Sequence, residues 1–145
     1  MEYATGRGMC HDHLREPFTA DHICSMIKKV YTGKARFHDG DAQVAPGVTV
    51  HKIGGHSKGL QSVRVMTDSG PLVLASDAAH FYENYEKKKP FPIVANLEEM
   101  LEGYNTLTAM ADGDETRVVP GHDPLVTERY SPLSTATDGL VYKLA

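Results

Sequence analysis

A chain of 145 residues, 41% hydrophobic and 23% charged, has the size and balance of one soluble globular unit. A net charge of −4 without an extended basic stripe excludes a phosphate-binding surface, and with it a nucleic-acid partner. No stretch nears the roughly 20 apolar residues of a membrane helix, and Glu2, Arg7, Asp12, Arg15, Glu16 and Asp21 leave no apolar run for a secretory leader. A cytoplasmic protein with no membrane partner is therefore expected. Cys10 and Cys24 form no CxxC pair and read as free thiols.

In chain order, Phe18, Ile23, Met26, Ile27 and Val30 recur at helical spacing, so a helix is predicted over 18–31, with Thr19 or Asp21 as N-cap and Gly33 as the stop. Short strands are expected around the turns at Asp39-Gly40-Asp41 and Pro46-Gly47. Residues 48–53 and 62–66 alternate with period two, as half-buried strands do, whereas Pro71–Ala75 is a short apolar run suited to a more buried strand that ends at Asp77. Lys87-Lys88-Lys89, the sole basic run, stops at Pro90 and reads as a solvated turn. Leu97, Met100, Leu101, Tyr104, Leu107 and Met110 predict a helix capped by Asn96, with Glu98 and Glu99 in the dipole-favoured first turn. A last strand is predicted over Thr116–Val119, running into Pro120, Gly121 and His122. The Ser- and Thr-rich stretch 133–145 is expected to be a loose tail. This order describes one domain, 1–145, in which helices cover one face of a sheet.

Three of the eight histidine and many acidic positions stand out by context. His56, Asp77 and His122 each end a predicted strand beside glycine, serine or proline, where a rigid sheet can mount reactive groups on loops. Two imidazoles and one carboxylate suit zinc and its neighbours in the first transition row. A carboxylate can also bridge two cations and offset their repulsion, which makes Asp77 the candidate bridge. A different pattern shares these residues: Gly55-His56-Ser57-Lys58-Gly59 matches G-x-S-x-G, and Ser57, Asp77 and His122 follow the order of a serine hydrolase. The alternating stretch after Leu60 counts against it, because that nucleophile must lead from a strand into a helix.

The segments GGHSKGLQSVRV (54–65), LASDAAHFYEN (74–84) and VVPGHDPLV (118–126) resemble the metallo-beta-lactamase superfamily, and within it the N-acyl-homoserine lactonase-like hydrolases. A weaker likeness extends over MEYATGRGMC and the first long helix to FHDGD. The resemblance implies an α+β, αββα metallo-beta-lactamase-like fold, of which this chain holds one sheet layer with its helices, a partial sandwich. It assigns His56 and His122 as metal ligands and Asp77 as the bridge. It further implies zinc, two ions per complete site, with iron or manganese as alternatives. The activity implied is the opening of an N-acyl-homoserine lactone, or of a related lactone or ester, by hydroxide generated on the metals. Such lactonases place a tyrosine shortly after the bridging aspartate to touch substrate. Here His80 holds the nearest position and Tyr82 follows, so either is expected to serve as the catalytic, substrate-contacting residue.

The superfamily's His-x-His-x-Asp-His run does not occur in this sequence. His11-Asp12-His13 imitates only its opening, because Leu14-Arg15-Glu16 follows. A homodimer or a complementing chain is the expected route to a complete site. The alternative is a catalytically incomplete half-domain that acts by assembly, or a truncated remnant.

Overall fold

A computed structural model describes all residues, 1–145. Two short helices open the chain, α1 (Glu2–Thr5) and α2 (Asp12–Arg15), joined through a tight turn at Arg7–Cys10. Neither is long enough to leave a periodic pattern, so neither was expected from the sequence. α3 (Ala20–Tyr31) is the helix predicted over 18–31, shortened because Thr19 is extended and occupies the N-cap. Cys10 and Cys24 are free and exposed. No helix of the chain is long and apolar enough to cross a membrane.

One five-stranded sheet organises the molecule, in the order β1 (Ala42–Ala45), β2 (Val48–Lys52), β3 (Gln61–Thr67), β4 (Gly70–Ser76) and β5 (Val118–Pro120). The first four strands form an antiparallel meander, and β5 joins β4 in parallel. The hairpin between β1 and β2 is made by Pro46-Gly47, with Gly47 at φ +71°, a backbone that glycine adopts at little cost. Of the short strands expected around the Asp39-Gly40-Asp41 turn, none forms on its N-terminal side. β5 begins later than predicted because Asp114 caps a tight turn over Glu115–Arg117, accepting a hydrogen bond from Thr116 N at 3.0 Å.

A parallel pair needs a crossover. Here it contains α4 (Tyr82–Glu86) and α5 (Leu97–Met110). α5 matches its predicted bounds, and Asn96 caps it by accepting from Glu99 N. α4 escaped the sequence reading, since it is a single turn fixed by Asn84, whose side chain accepts from Phe81 N at 2.7 Å and donates to Lys89 O at 2.8 Å. The crossover lays Met100, Tyr104 and Leu107 against Val73, Ala75 and Val118, and these six form the sealed centre of the core. Arg64 on the same sheet face reaches over to donate to Met110 O at 2.8 Å, tying the end of α5 to β3. The opposite face carries the register partners Val50, Val63, Leu74 and Val119, of which the first three remain half-buried. Its apolar character and the helix-covered first face are the one-layer arrangement expected of a partial sandwich.

After β5, α6 (Val126–Arg129) leads to β6 (Ser131–Pro132), which pairs with β7 (Tyr142–Lys143). The stretch 133–145, expected to be loose, folds back as this small hairpin, with Leu133 N donating to Val141 O at 2.9 Å.

Gly55 shows how tightly the β2–β3 loop is seated. Its φ is +75°, and a Cβ there would lie 2.6 Å from Met100 Cα on α5. Gly55→Ala is expected to lower stability by more than ~1 kcal/mol, and Leu107→Ala by about 2–5 kcal/mol. Both are read as a lower urea midpoint at unchanged slope.

Candidate metal centre

The site is framed by main chain before any side chain enters it. β4 ends at Ser76 with φ +51°, a strained conformation for a residue with a Cβ, and this turn brings Asp77 out of the sheet. β5 ends beside it at Pro120, in register with Ser76. Beyond the strands, Gly121 N donates to Ala79 O at 2.9 Å and His122 N to His80 O at 3.0 Å. The approach is so close that a Cβ on Gly121 would stand 2.8 Å from Ser76 O. These contacts place His122 Nε2 2.7 Å from Asp77 Oδ1.

His56 arrives from the β2–β3 loop and is nearly buried, 7% exposed. Gly55 O accepts from both Ala95 N and Asn96 N at 2.9 Å, which pins the loop to the start of α5. His56 Nδ1 donates to Ile93 O at 2.8 Å. That bond selects the tautomer whose bare Nε2 lone pair faces the site, a common arrangement for metal-binding histidines. Nε2 lies 3.9 Å from Asp77 Oδ2. The two oxygens of Asp77 are thus divided, Oδ1 toward His122 and Oδ2 toward His56.

His80 completes the cluster. Its ring stacks on Phe91 at 3.7 Å between centroids and 12° between planes, and meets the rings of His122 and His56 edge-on at 4.6 and 5.7 Å. Its Nε2 lies 3.8 Å from Asp77 Oδ1. Burial holds its pKa below the ordinary histidine value, with the neighbouring His122 adding to the effect and Asp77 opposing it. The imidazole is therefore neutral, with a lone pair to give, at neutral pH.

Of the five residues singled out in the sequence, the structure gathers His56, Asp77, His80 and His122 into one cluster, and Tyr82 is elsewhere. Tyr82 is 1% exposed, its ring lies against Tyr85 and 3.5 Å beneath the Arg129 guanidinium, and burial pushes its pKa up to about 12. Its place is in the core, because its backbone N is drawn inward to Asp123 Oδ2 at 2.8 Å. Asp123 was missed by the sequence reading. Its carboxylate also accepts from Leu125 N at 2.9 Å, so it ties the loop after His122 to the start of α4. The Asp of the adjoining His122-Asp123 pair was the available signal.

The serine-hydrolase pattern is not assembled. The turn containing Ser57 leads into strand β3 and not a helix, and His56 is the residue of that turn that faces Asp77. His11 and His13 lie on the exposed N-terminal turns, where Asp12 pairs with Arg15. His51 is held away from the centre between Asp41 and Thr49.

Asp77, His80 and His122 each offer a ligand atom, all within 4.8 Å of one another. Ligands at about 2.0–2.2 Å from a tetrahedral ion stand roughly 3.4 Å apart. The observed spacings straddle that value, so sub-ångström to ångström side-chain shifts would seat an ion. The donor set and the pinned His56 tautomer both fit a first-row divalent metal.

No protein-family model matches the chain. It is 43% identical over 86 residues to an N-acyl homoserine lactonase of Bacillus sp, covering 59% of this chain and 34% of the relative. It is 34% identical over 71 residues to the N-acyl homoserine lactonase AttM of Rhizobium radiobacter, covering 48% of this chain and 27% of that one. The chain thus spans about a third of the length of the curated relatives it matches. Among solved structures, an N-acyl homoserine lactone hydrolase with the product N-hexanoyl-L-homoserine at its catalytic metal centre superposes with a TM-score of 0.58 at 30% identity, over 64% of this chain and 37% of that one. The dizinc quorum-quenching lactonase AidC shares the fold at 15% identity, with a TM-score of 0.56 over 85% of this chain and 45% of its own. The resemblance to N-acyl homoserine lactonases read from the three motifs is therefore found in whole-segment comparison, and the fold is the metallo-beta-lactamase type expected.

Two measurements check the frame. Gly121→Ala is expected to break the His122–Asp77 contact and lower stability by more than ~1 kcal/mol. In NMR titrations of the metal-free protein, His80 is expected to titrate below 6.5, its ordinary value, and to move back toward it in Phe91→Ala, which opens the ring to water. Since folding depresses this pKa, the contribution of His80 to stability is full above 6.5 and falls as pH drops through the lower folded value.

Proposed function

We propose, on the premise of that kinship, that this chain contributes the metal-holding strand ends of a hydrolase that opens lactone rings. N-acyl homoserine lactones, or related lactones and esters, are the substrates. The observation that carries the reading is the division of one carboxylate between two imidazoles, with Asp77 Oδ1 2.7 Å from His122 Nε2 and Oδ2 3.9 Å from His56 Nε2. That arrangement suits an aspartate shared between two ion positions.

His56, Asp77 and His122 are the residues that would hold the ions, zinc foremost, with iron or manganese as alternatives. When bound, such ions activate water near neutral pH and polarise a carbonyl oxygen. The remaining work falls to the protein. Ile93 O keeps the His56 ring in one tautomer, and the backbone bonds to Ala79 O and His80 O hold the main chain of His122 beside Asp77. Phe91, 7% exposed, closes one side of the cluster and lowers its local dielectric, which strengthens every charge interaction there. In the overall reaction water adds to the ester carbonyl, the ring C–O bond breaks, and the alkoxide leaving group takes up the proton, giving the open hydroxy acid. Of the two side chains expected at the substrate, only His80 lines the cluster.

A non-catalytic reading is favoured by one feature, the half-buried Val50, Val63 and Leu74 on the far sheet face, which suits a chain working through assembly. Activity separates the two. Zinc-loaded protein is expected to hydrolyse N-hexanoyl-homoserine lactone, followed as acid release at constant pH. Chelation should abolish the reaction, and Asp77→Asn should slow it at least ~10²-fold. Acid release no faster than in buffer, with or without metal, would favour the assembly reading.

A further inference from the structure

We infer that His80 is itself a metal ligand, so that Asp77 Oδ1, His80 Nε2 and His122 Nε2 hold one divalent transition-metal ion without any ligand from outside this chain. The inference rests on the metal-centre reading above and goes past it in two respects, the ligand set and the number of ions this chain can hold.

The first support is the state of the His80 ring. The side chain is only 16% exposed, yet neither ring nitrogen makes a hydrogen bond within the protein. A largely buried imidazole normally satisfies its polar atoms. Here the ring faces a carboxylate oxygen at 3.8 Å and a second imidazole edge-on, a gap of the width a shared cation fills. If the position called only for packing on Phe91, a phenyl ring would fill it with no polar atom to satisfy.

The second support is preorganisation. The stack on Phe91 fixes the plane of the ring, and the bond from His122 N to His80 O ties the two ligand-bearing residues together through the main chain. Ordering these side chains therefore costs little when the ion arrives. Seating it requires His122 to give up the proton it donates to Asp77 and the 2.7 Å contact to widen toward roughly 3.4 Å.

The third support is asymmetry. On the Oδ1 side the chain presents three donors, whereas on the Oδ2 side it presents His56 and the shared carboxylate alone. One ion should bind well and a second poorly. Two imidazoles and a carboxylate with open positions suit zinc, cobalt or ferrous iron better than magnesium or calcium.

The test is a titration of the metal-free full chain with Co(II), read by its visible absorption and by bound-metal analysis. One tight equivalent is expected. His80→Phe, which keeps the stack on Phe91 and removes the nitrogens, should weaken that equivalent at least ~10²-fold and alter the spectrum, while His56→Phe shifts it less than ~10-fold. Circular dichroism verifies that the variants fold, and His80→Gln replaces the phenylalanine variant if it does not. Wild-type affinity and spectrum in the His80 variants, with loss in His56→Phe, would overturn the inference and leave the metal-centre reading intact. Uptake of well under a tenth of an equivalent of Co(II) or Zn(II) by the wild-type chain would overturn both.

Discussion

The parallel pairing of β4 with β5 is the constraint on which the rest of this molecule depends. Asp77 and His122 are far apart along the chain, and closing that loop costs conformational entropy that the strand bonds and the sealed crossover must offset. Once Ser76 and Pro120 are in register, the two backbone bonds beyond the strands follow, and with them the meeting of carboxylate and imidazole. The core under the sheet serves the same end. Met100, Tyr104 and Leu107 press the crossover onto Val73, Ala75 and Val118, which keeps β5 from sliding along its neighbour.

The cluster concentrates opposing demands in a small volume. Three imidazoles surround one carboxylate, and the aromatic wall of Phe91 removes water from one side. Protonating His80 there is penalised first by burial and then by the neighbouring His122, so its ring favours the neutral form. Unshared lone pairs collected around a carboxylate are what a soft or borderline cation satisfies. The division of Asp77 oxygens between opposite neighbours gives the cluster two ends of unequal ligand supply, and this inequality distinguishes the chain from a symmetric two-ion cradle.

Much of this was legible in the sequence, for identifiable reasons. α5 has fourteen residues with an unbroken helical apolar pattern and an asparagine cap, and strands β2, β3 and β4 carry clear two-residue periods or a compact apolar run. Asp77 stood out because it follows β4 directly, and His56 and His122 because each lies beside glycine in a short loop just beyond a strand, β2 and β5. His80 joins them through a stack with Phe91 and a main-chain bond to His122, and neither contact leaves a local pattern; the sequence offered it through its place after Asp77, as a substrate contact. Tyr82 misled for the converse reason. Proximity to Asp77 along the chain suggested a shared site, but Asp123 pulls its backbone into α4 and turns its ring into the core.

The tether between residues 79–80 and 121–122 is built from amide and carbonyl groups common to every amino acid. Such a socket specifies where position 80 points without specifying what it presents there. The scaffold can therefore exchange the side chain presented at that place, imidazole for phenol or thiolate, while the sheet beneath stays unchanged.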